Sequence, residues 1–149
     1  IDIQVASELT TTTYEPRGST ALFDAIGRAV SEAKDRIMPG SSDVVFVITT
    51  DGLENASTDY SGEQIKELIA DCEDQYGWHF MYLAASDDAF NQHQDMGINV
   101  RSCLKLEATP ESWDASQQLM SKKLIDYRNS PGHQGFLLEF GDDNRSDDE

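Results

Sequence analysis

The run VVFVITTDGLEN at residues 44–55 decides the fold class. Its first five residues are all apolar, four of them are β-branched, and no polar residue alternates with them. A strand of this composition is typical of a parallel sheet that helices cover on both faces. Asp51 and Gly52 then predict a tight turn directly after the strand. The run therefore indicates an α/β protein.

Helix and strand patterns alternate on either side of this run. Apolar residues recur at three- and four-residue steps over 21–37, and Ser61 with Gln64 forms a capping box that predicts the start of a second helix. Further strands are expected at 1–5, 78–85 and 98–106, and further helices at 86–96 and from Pro110 to 128. The last helix is expected to bury Trp113, Met120, Leu124 and Tyr127. This order predicts a doubly wound, mostly parallel sheet with helices on both faces.

Length and charge restrict the classes of function. The 149 residues suit one domain, and 28 acidic against 11 basic residues give a net charge of −17. Such a surface repels nucleic acid and anionic membranes, so neither is expected as a partner. No apolar run reaches the roughly 18 residues of a membrane span, and no signal-peptide pattern is present. The two cysteines, Cys72 and Cys103, do not make a disulfide framework, which favours a reducing, cytoplasmic setting, and both are expected in the core.

The C-terminal 129–149 differ from the rest of the chain. Residues 129–132 form a linker pattern, and 141–149 carry five acidic residues among nine, which predicts a disordered tail. The apolar cluster FLLEF at 136–140 is expected either as an edge strand or as a short docking motif. The predicted organisation is thus a folded unit at 1–128 followed by a linker and acidic tail.

Two oxygen-rich segments are expected to meet at one edge of the sheet. Ligands of open α/β sheets bind beyond the carboxyl ends of the strands, where the predicted topology brings 18–20 and 49–55. Their hydroxyl and carboxylate oxygens suit Mg²⁺ or Mn²⁺. Plainer roles remain open: Asp51 as a turn residue that bonds its own backbone, Thr20 or Ser19 as a helix cap, and Asp24 in a surface ion pair with Arg28. The three histidines show no ligand spacing, so zinc is not expected.

Two of these stretches carry a family resemblance. YEPRGSTALFDAIG at 14–27 resembles the second signature stretch of von Willebrand factor type A domains, and VVFVITTDGLEN at 44–55 resembles the third. GWHFMYLA at 77–84 also matches this family in register, and the resemblance is to its bacterial and phage cytoplasmic members. It spans residues 9–128 and leaves the tail unaccounted for.

The resemblance implies a non-enzymatic protein-binding module with a metal-ion-dependent adhesion site for Mg²⁺ or Mn²⁺. Carried over, Thr20 supplies a hydroxyl to the metal, and Asp51 binds it directly or through water. An acidic side chain of a protein partner completes the metal shell. The rim and support of the site are then Ser19, Thr50, Gly52, Glu54 and Asn55.

One family motif does not occur in this sequence. The Asp-x-Ser-x-Ser of the family's first, central strand is absent, so residues 1–128 correspond to the C-terminal portion of such a domain. The remaining ligands are expected to bind Mg²⁺ weakly. The resemblance also implies an open ladder edge beside the strand at 44–48. We expect the missing strand to come from an upstream segment or from another chain.

Two other functions compete with this interpretation. A phosphoryl-transfer hydrolase would use Asp51 as its nucleophile, but the acid that such a site needs two residues later is replaced by Leu53. A metal-independent structural or interaction module would act through its sheet edge or its tail.

Overall fold

The computed structural model describes Thr10, residues 18–39 and residues 44–129. Its helices and strands are, in chain order, α1 (Leu22–Arg36), β1 (Val45–Thr50), α2 (Gly62–Asp71), β2 (His79–Ala84), α3 (Asp87–Asn91), β3 (Cys103–Lys105) and α4 (Pro110–Asn129). A π-helical turn continues α2 over Cys72–Tyr76, and 3₁₀ turns lie at Gln92–Gln94 and Val100–Ser102.

The three strands form a parallel sheet in the order β1-β2-β3. Val45 pairs with His79 at one end of the β1–β2 ladder and Thr50 pairs with Ala84 at the other. Because all three strands run the same way, their carboxyl ends share one edge of the sheet. The mixed α/β class and the parallel sheet are thereby confirmed.

One face of the sheet packs on α1 and α2. The buried apolar side chains of this face come from both helices, from alternate positions of β1 and β2, and from the segments that follow them; they include Leu22, Ile26, Val30, Ile48, Ile65, Ile69, Cys72, Trp78, Phe80 and Tyr82. Cys72 and Cys103 are free and buried, as expected, and burial raises the pKa of the Cys103 thiol to about 12. Both cysteines are therefore core residues.

The opposite face of the sheet packs on α4. Met81 and Leu83 of β2 contact Met120 and Tyr127 of α4 in a second core cluster. Met120 and Tyr127 are buried as predicted, whereas Trp113 and Leu124 are only half-buried. Helices thus lie on both faces of the described sheet.

The cover of β1 departs from the prediction. Its apolar composition predicted burial on both faces, but Val47 is 39% exposed, whereas Met81, its partner in β2, is fully buried. The physical reason is that α4 packs over β2 and leaves β1 open on this face. Within the described residues β1 is also an edge strand, since β2 is its single ladder neighbour.

Local signals explain where several elements begin and end. The Ser61 hydroxyl accepts from Gln64 N at 3.3 Å and the Gln64 side chain accepts from Ser61 N at 2.8 Å, so the capping box is confirmed. Gly97, at φ +70°, follows the α3 region as predicted. The strand expected over 98–106 is shorter, because the Asn99 side chain accepts from Arg101 N and caps a 3₁₀ turn before β3.

Several sequence-based predictions lie outside the described residues. They are the strand at 1–5, most of the linker, the cluster at 136–140 and the acidic tail. None of the helices in the described part of the chain is both long and apolar enough to span a bilayer.

Candidate functional site

A cavity of about 470 Å³ opens beyond the carboxyl end of β1. Its lining comes from the start of α1, from the end of β1 with the turn after it, and from the first turn of α4; the residues are Thr20, Ala21, Leu22, Ala25, Thr49, Thr50, Asp51 and Trp113. This is the edge where parallel α/β sheets bind ligands.

The structure brings Thr20 and Asp51 together at this cavity. The turn after Asp51 approaches Thr20 closely, because a Cβ on Gly52 would lie 3.3 Å from the Thr20 hydroxyl oxygen. Within residues 18–39 and 44–129, neither the Asp51 carboxylate nor the Thr20 hydroxyl takes part in a hydrogen bond or ion pair. Asp51 therefore does not bond its own turn, and both oxygens are available to a ligand.

The Thr50 hydroxyl bonds the backbone of the turn and is therefore not free to bind a ligand. Its side chain is buried, and its hydroxyl donates to Gly52 O at 2.8 Å and accepts from Gly52 N at 3.2 Å. Thr50 and Gly52 thus bond each other within the turn, and their role as supports of a metal site stays a prediction. Ser19 is exposed and is not part of the cavity lining.

Glu54 is not among the lining residues of the cavity, and its side chain joins the loop to α1. One carboxylate oxygen accepts from Ala56 N at 2.8 Å and from Ser57 N at 2.7 Å. The other accepts from Phe23 N at 2.9 Å and from the Ser57 hydroxyl at 2.7 Å. Four donors therefore surround this carboxylate, and they leave it little capacity to bind a ligand.

Asn55 connects the same loop to Thr20. Its side-chain oxygen accepts from Thr20 N at 2.9 Å, and its own N–H donates to Thr20 O at 3.0 Å. The pair resembles a short ladder between two segments that lie 35 residues apart in the chain. Asn55 is thus a support of the site and not part of the cavity wall.

The predicted ion pair between Asp24 and Arg28 is wrong. Asp24 is only 7% exposed, and its carboxylate accepts from the N–H groups of residues 58, 59 and 60 at 2.9–3.0 Å. Arg28 instead pairs with Asp59 on the surface. The N–H donors of the loop outcompete Arg28 because they point at the buried carboxylate from a fixed backbone.

The start of α1 is capped by the loop and not by the residues just before it. Ala21 is the N-cap and provides no side-chain hydrogen bond, so neither Thr20 nor Ser19 caps the helix. Two free N–H groups of the first turn are bonded instead by Glu54, at Phe23, and by the Ser57 hydroxyl, 3.0 Å from Asp24 N. Among the described residues, none therefore bonds the Thr20 hydroxyl.

Hydrogen bonds lower the pKa values of the Asp24 and Glu54 carboxylates. The N–H groups of Thr58, Tyr60 and Asp59 lower the pKa of Asp24, although burial opposes them. Burial acts to raise the pKa of Glu54, but the hydrogen bonds from Ser57, Phe23 and Ala56 outweigh it and the pKa is lowered. Both groups are therefore charged well below neutral pH.

The oxygen ligands of the cavity decide whether the implied Mg²⁺ or Mn²⁺ fits it. The described part of the chain contains no group of three or more His, Cys, Asp or Glu side chains that could hold a metal. Asp51 is the single carboxylate of the lining and Thr20 provides a free hydroxyl beside it. Mg²⁺ in proteins often keeps several waters and takes one or two carboxylates plus oxygens of a bound molecule. A tightly held resident ion does not fit this donor set, whereas an ion shared with a partner's oxygen does.

Trp113 belongs to the cavity, although the sequence indicated a packing residue. A helix that follows a parallel strand begins at the carboxyl edge of the sheet, and Trp113 lies in the first turn of α4. That placement is the signal that could have found it. Trp113 is the one aromatic residue among the eight that line the cavity.

The chain was also compared with models of known protein families, with curated proteins and with solved structures, and none of the three comparisons finds a match.

Proposed function

We propose that the chain is a non-enzymatic protein-binding module of the von Willebrand factor A type, which contacts its partner at the cavity beyond β1. The observation that carries the proposal is the contrast among the acids of one loop. Asp51 lines the cavity with no bond from any described residue, whereas Glu54 is fully engaged. A carboxylate without a bonding partner among the described residues, on a loop that hydrogen bonds fix to α1, is suited to bind a ligand from outside the chain.

The proposed ligand of Asp51 is Mg²⁺ or Mn²⁺, held together with the Thr20 hydroxyl, waters and an acidic side chain of the partner. Two ligands from this chain give weak binding by themselves, so the ion and the partner should strengthen each other's binding. The cation would join two negatively charged groups that otherwise repel each other. This accounts for how a chain of net charge −17 can bind an acidic partner.

The geometry gives no support to the alternative hydrolase. The acid that would serve as acid/base two residues after Asp51 is replaced by Leu53, which is 43% exposed. Among the eight residues of the cavity lining there is no lysine or arginine to hold a phosphate. A nucleophilic aspartate without these groups is not expected to transfer phosphoryl groups.

The proposed module includes a further strand beside β1, from an upstream segment or from another chain. Two features support it. β1 lies at the edge of the described sheet, and Val47 is exposed on the face where Met81 is fully buried. β1 contains no charged residue and no proline, which are among the features that protect natural sheet edges.

Paramagnetic broadening by Mn²⁺ in amide NMR spectra of the full chain tests the proposal. Mn²⁺ should selectively broaden the resonances of residues 20–22 and 49–52, and Asp51→Ala should abolish this pattern. Asp35→Ala is the matched control, because it removes one exposed acid from α1 far along the helix and changes the net charge equally. Broadening of the same residues in Asp51→Ala, or uniform broadening across the acidic surface, would contradict the proposed site.

A further inference from the structure

Thr20 and Asp51 reach the cavity from two distant parts of the chain. Thr20 precedes α1, and Asp51 follows β1, 31 positions later in the sequence. A binding site made of both therefore depends on what fixes the start of α1 against the loop at 51–60.

Besides the two hydrogen bonds between Asn55 and Thr20, the described polar contacts between these two segments centre on two carboxylates. Glu54 reaches from the loop to Phe23 N in the first turn of α1. Asp24 reaches back from α1 to three consecutive N–H groups of the loop, at residues 58–60. Ser57 connects the Glu54 carboxylate to the backbone of α1, since its hydroxyl donates to Glu54 and accepts from Asp24 N. Each segment thus supplies a carboxylate that binds the backbone of the other.

Close packing completes this junction. A Cβ on Gly27 would lie 2.6 Å from ring atoms of Tyr60, so the Tyr60 ring sits directly on the α1 backbone. The Tyr60 hydroxyl also lies 3.3 Å from the Ser31 hydroxyl. The loop is therefore held along α1 at one end and joined to β1 at the other, where Asp51 lies beside Thr20.

We infer that Glu54 and Asp24 are positioning residues, which set the distance between Thr20 and Asp51 and thereby the affinity of the cavity for its ligand. Neither carboxylate touches the ligand. The inference rests on the proposed function for its meaning in binding, but the positioning itself can be measured without any metal.

Glu54→Gln is the sharpest test, because the amide group cannot accept from Phe23 N while the remaining oxygen can still accept from Ala56 and Ser57. Without metal, we expect hydrogen exchange at Phe23 N to rise about tenfold and the nuclear Overhauser contact between Thr20 and Gly52 to weaken. With Mn²⁺, we expect the affinity of the cavity to fall about tenfold. Glu63→Gln, an exposed acid of α2, is the matched control and should change none of the three values.

Two further variants separate positioning from general stability. Ile69→Val loosens the core without touching the junction, so it should lower the urea midpoint but leave the Thr20–Gly52 contact and the Mn²⁺ affinity unchanged. Ser57→Ala removes one hydrogen bond to the Glu54 carboxylate and the acceptor of Asp24 N, and it provides a milder change if Glu54→Gln does not fold.

Each result decides something different. An unchanged Thr20–Gly52 contact in both Glu54→Gln and Ser57→Ala would overturn the inference, as would a weakened contact with unchanged Mn²⁺ affinity. An equal loss of affinity in Ile69→Val would reduce the role to structural support. If the unmodified chain does not bind Mn²⁺, the proposed function fails, while the contact and exchange measurements still decide whether Glu54 and Asp24 position the two segments.

Discussion

Asp51 and Glu54 lie three residues apart in one loop, yet their surroundings are opposite. Glu54 accepts four hydrogen bonds and binds the loop to α1, while Asp51 lines a cavity and accepts none from the described residues. The loop therefore has a braced side, formed by residues 54–60 with the start of α1, and an open side at Asp51. The braced side stabilises the fold, and the open side is available to a ligand.

The difference follows from where N–H donors are located. The first turn of a helix has N–H groups without helical partners, and a turning loop exposes several more. Glu54 and Asp24 lie among such groups at the junction of the loop with α1, whereas Asp51 lies at the sheet edge, where Thr50 already bonds the turn. The environment of a carboxylate, and not its presence in an acidic chain, decides its role.

The largest expected effect comes from Asp24→Ala, which leaves three loop N–H groups without their acceptor. It should shift the urea unfolding midpoint further than any other change proposed for the braced side. Asp51→Ala should leave the free energy of unfolding unchanged within about 0.5 kcal/mol, as is usual for surface positions. Equal midpoints for the two variants would remove the distinction between the two sides.

A second test crowds the braced side without changing its charge. Gly27→Ala places a methyl group against the Tyr60 ring and should lower the free energy of unfolding by about 2 kcal/mol. Combined with Tyr60→Ala, the glycine change should have a much smaller effect, because the clash is gone. Urea denaturation of the two single variants and the double variant measures this coupling, and strictly additive effects would show that the ring does not pack there.

The pH dependence of stability sharpens the comparison further. The pKa values of Asp24 and Glu54 are lowered from ordinary values of 3.8 and 4.5. Both groups therefore stabilise the folded state above those values, and this contribution is lost as the pH falls below about 4.5 toward the folded-state pKa values. Unfolding measured in urea at pH 7, 5, 4 and 3 should show the loss, and Glu54→Gln should show less of it. An identical pH profile for Glu54→Gln would contradict the bracing role.

The smallest change in the free energy of unfolding is expected from the surface ion pair of the braced side. Arg28 and Asp59 are both more than half exposed, so water and salt screen their attraction. Arg28→Ala should not change the urea midpoint measurably at physiological salt. A clear loss of stability would mean that the pair, and not the buried carboxylate of Asp24, holds this part of the loop.

The fold followed from the sequence where its signals are local. The unbroken apolar run of β1, the capping box at Ser61 and Gln64, and Gly97 each act within a few residues, and the structure has each of them. The strand predicted over 98–106 is longer than the observed β3, because the cap at Asn99 competes with strand formation. The cover of β1 could not be predicted from composition, since it depends on where α4 lies.

The site was harder to predict because its contacts are distant in sequence. Asp24 has Arg28 four residues later, so the local pattern indicated an ion pair, yet its partners are 34–36 residues away. The roles of Glu54 and Asn55 depend likewise on α1. The meeting of Thr20 with Asp51 could be predicted, because parallel topology alone brings both segments to one edge. Their role as metal ligands remains a prediction.

Anomalous scattering from crystals of the full chain grown with Mn²⁺ tests the central claim most directly. The account predicts a peak between the Thr20 hydroxyl and the Asp51 carboxylate, with the Glu54 and Asp24 carboxylates still bound to their N–H donors. Mn²⁺ on Glu54 or Asp24, or no peak beside Asp51 at saturating metal, would contradict it.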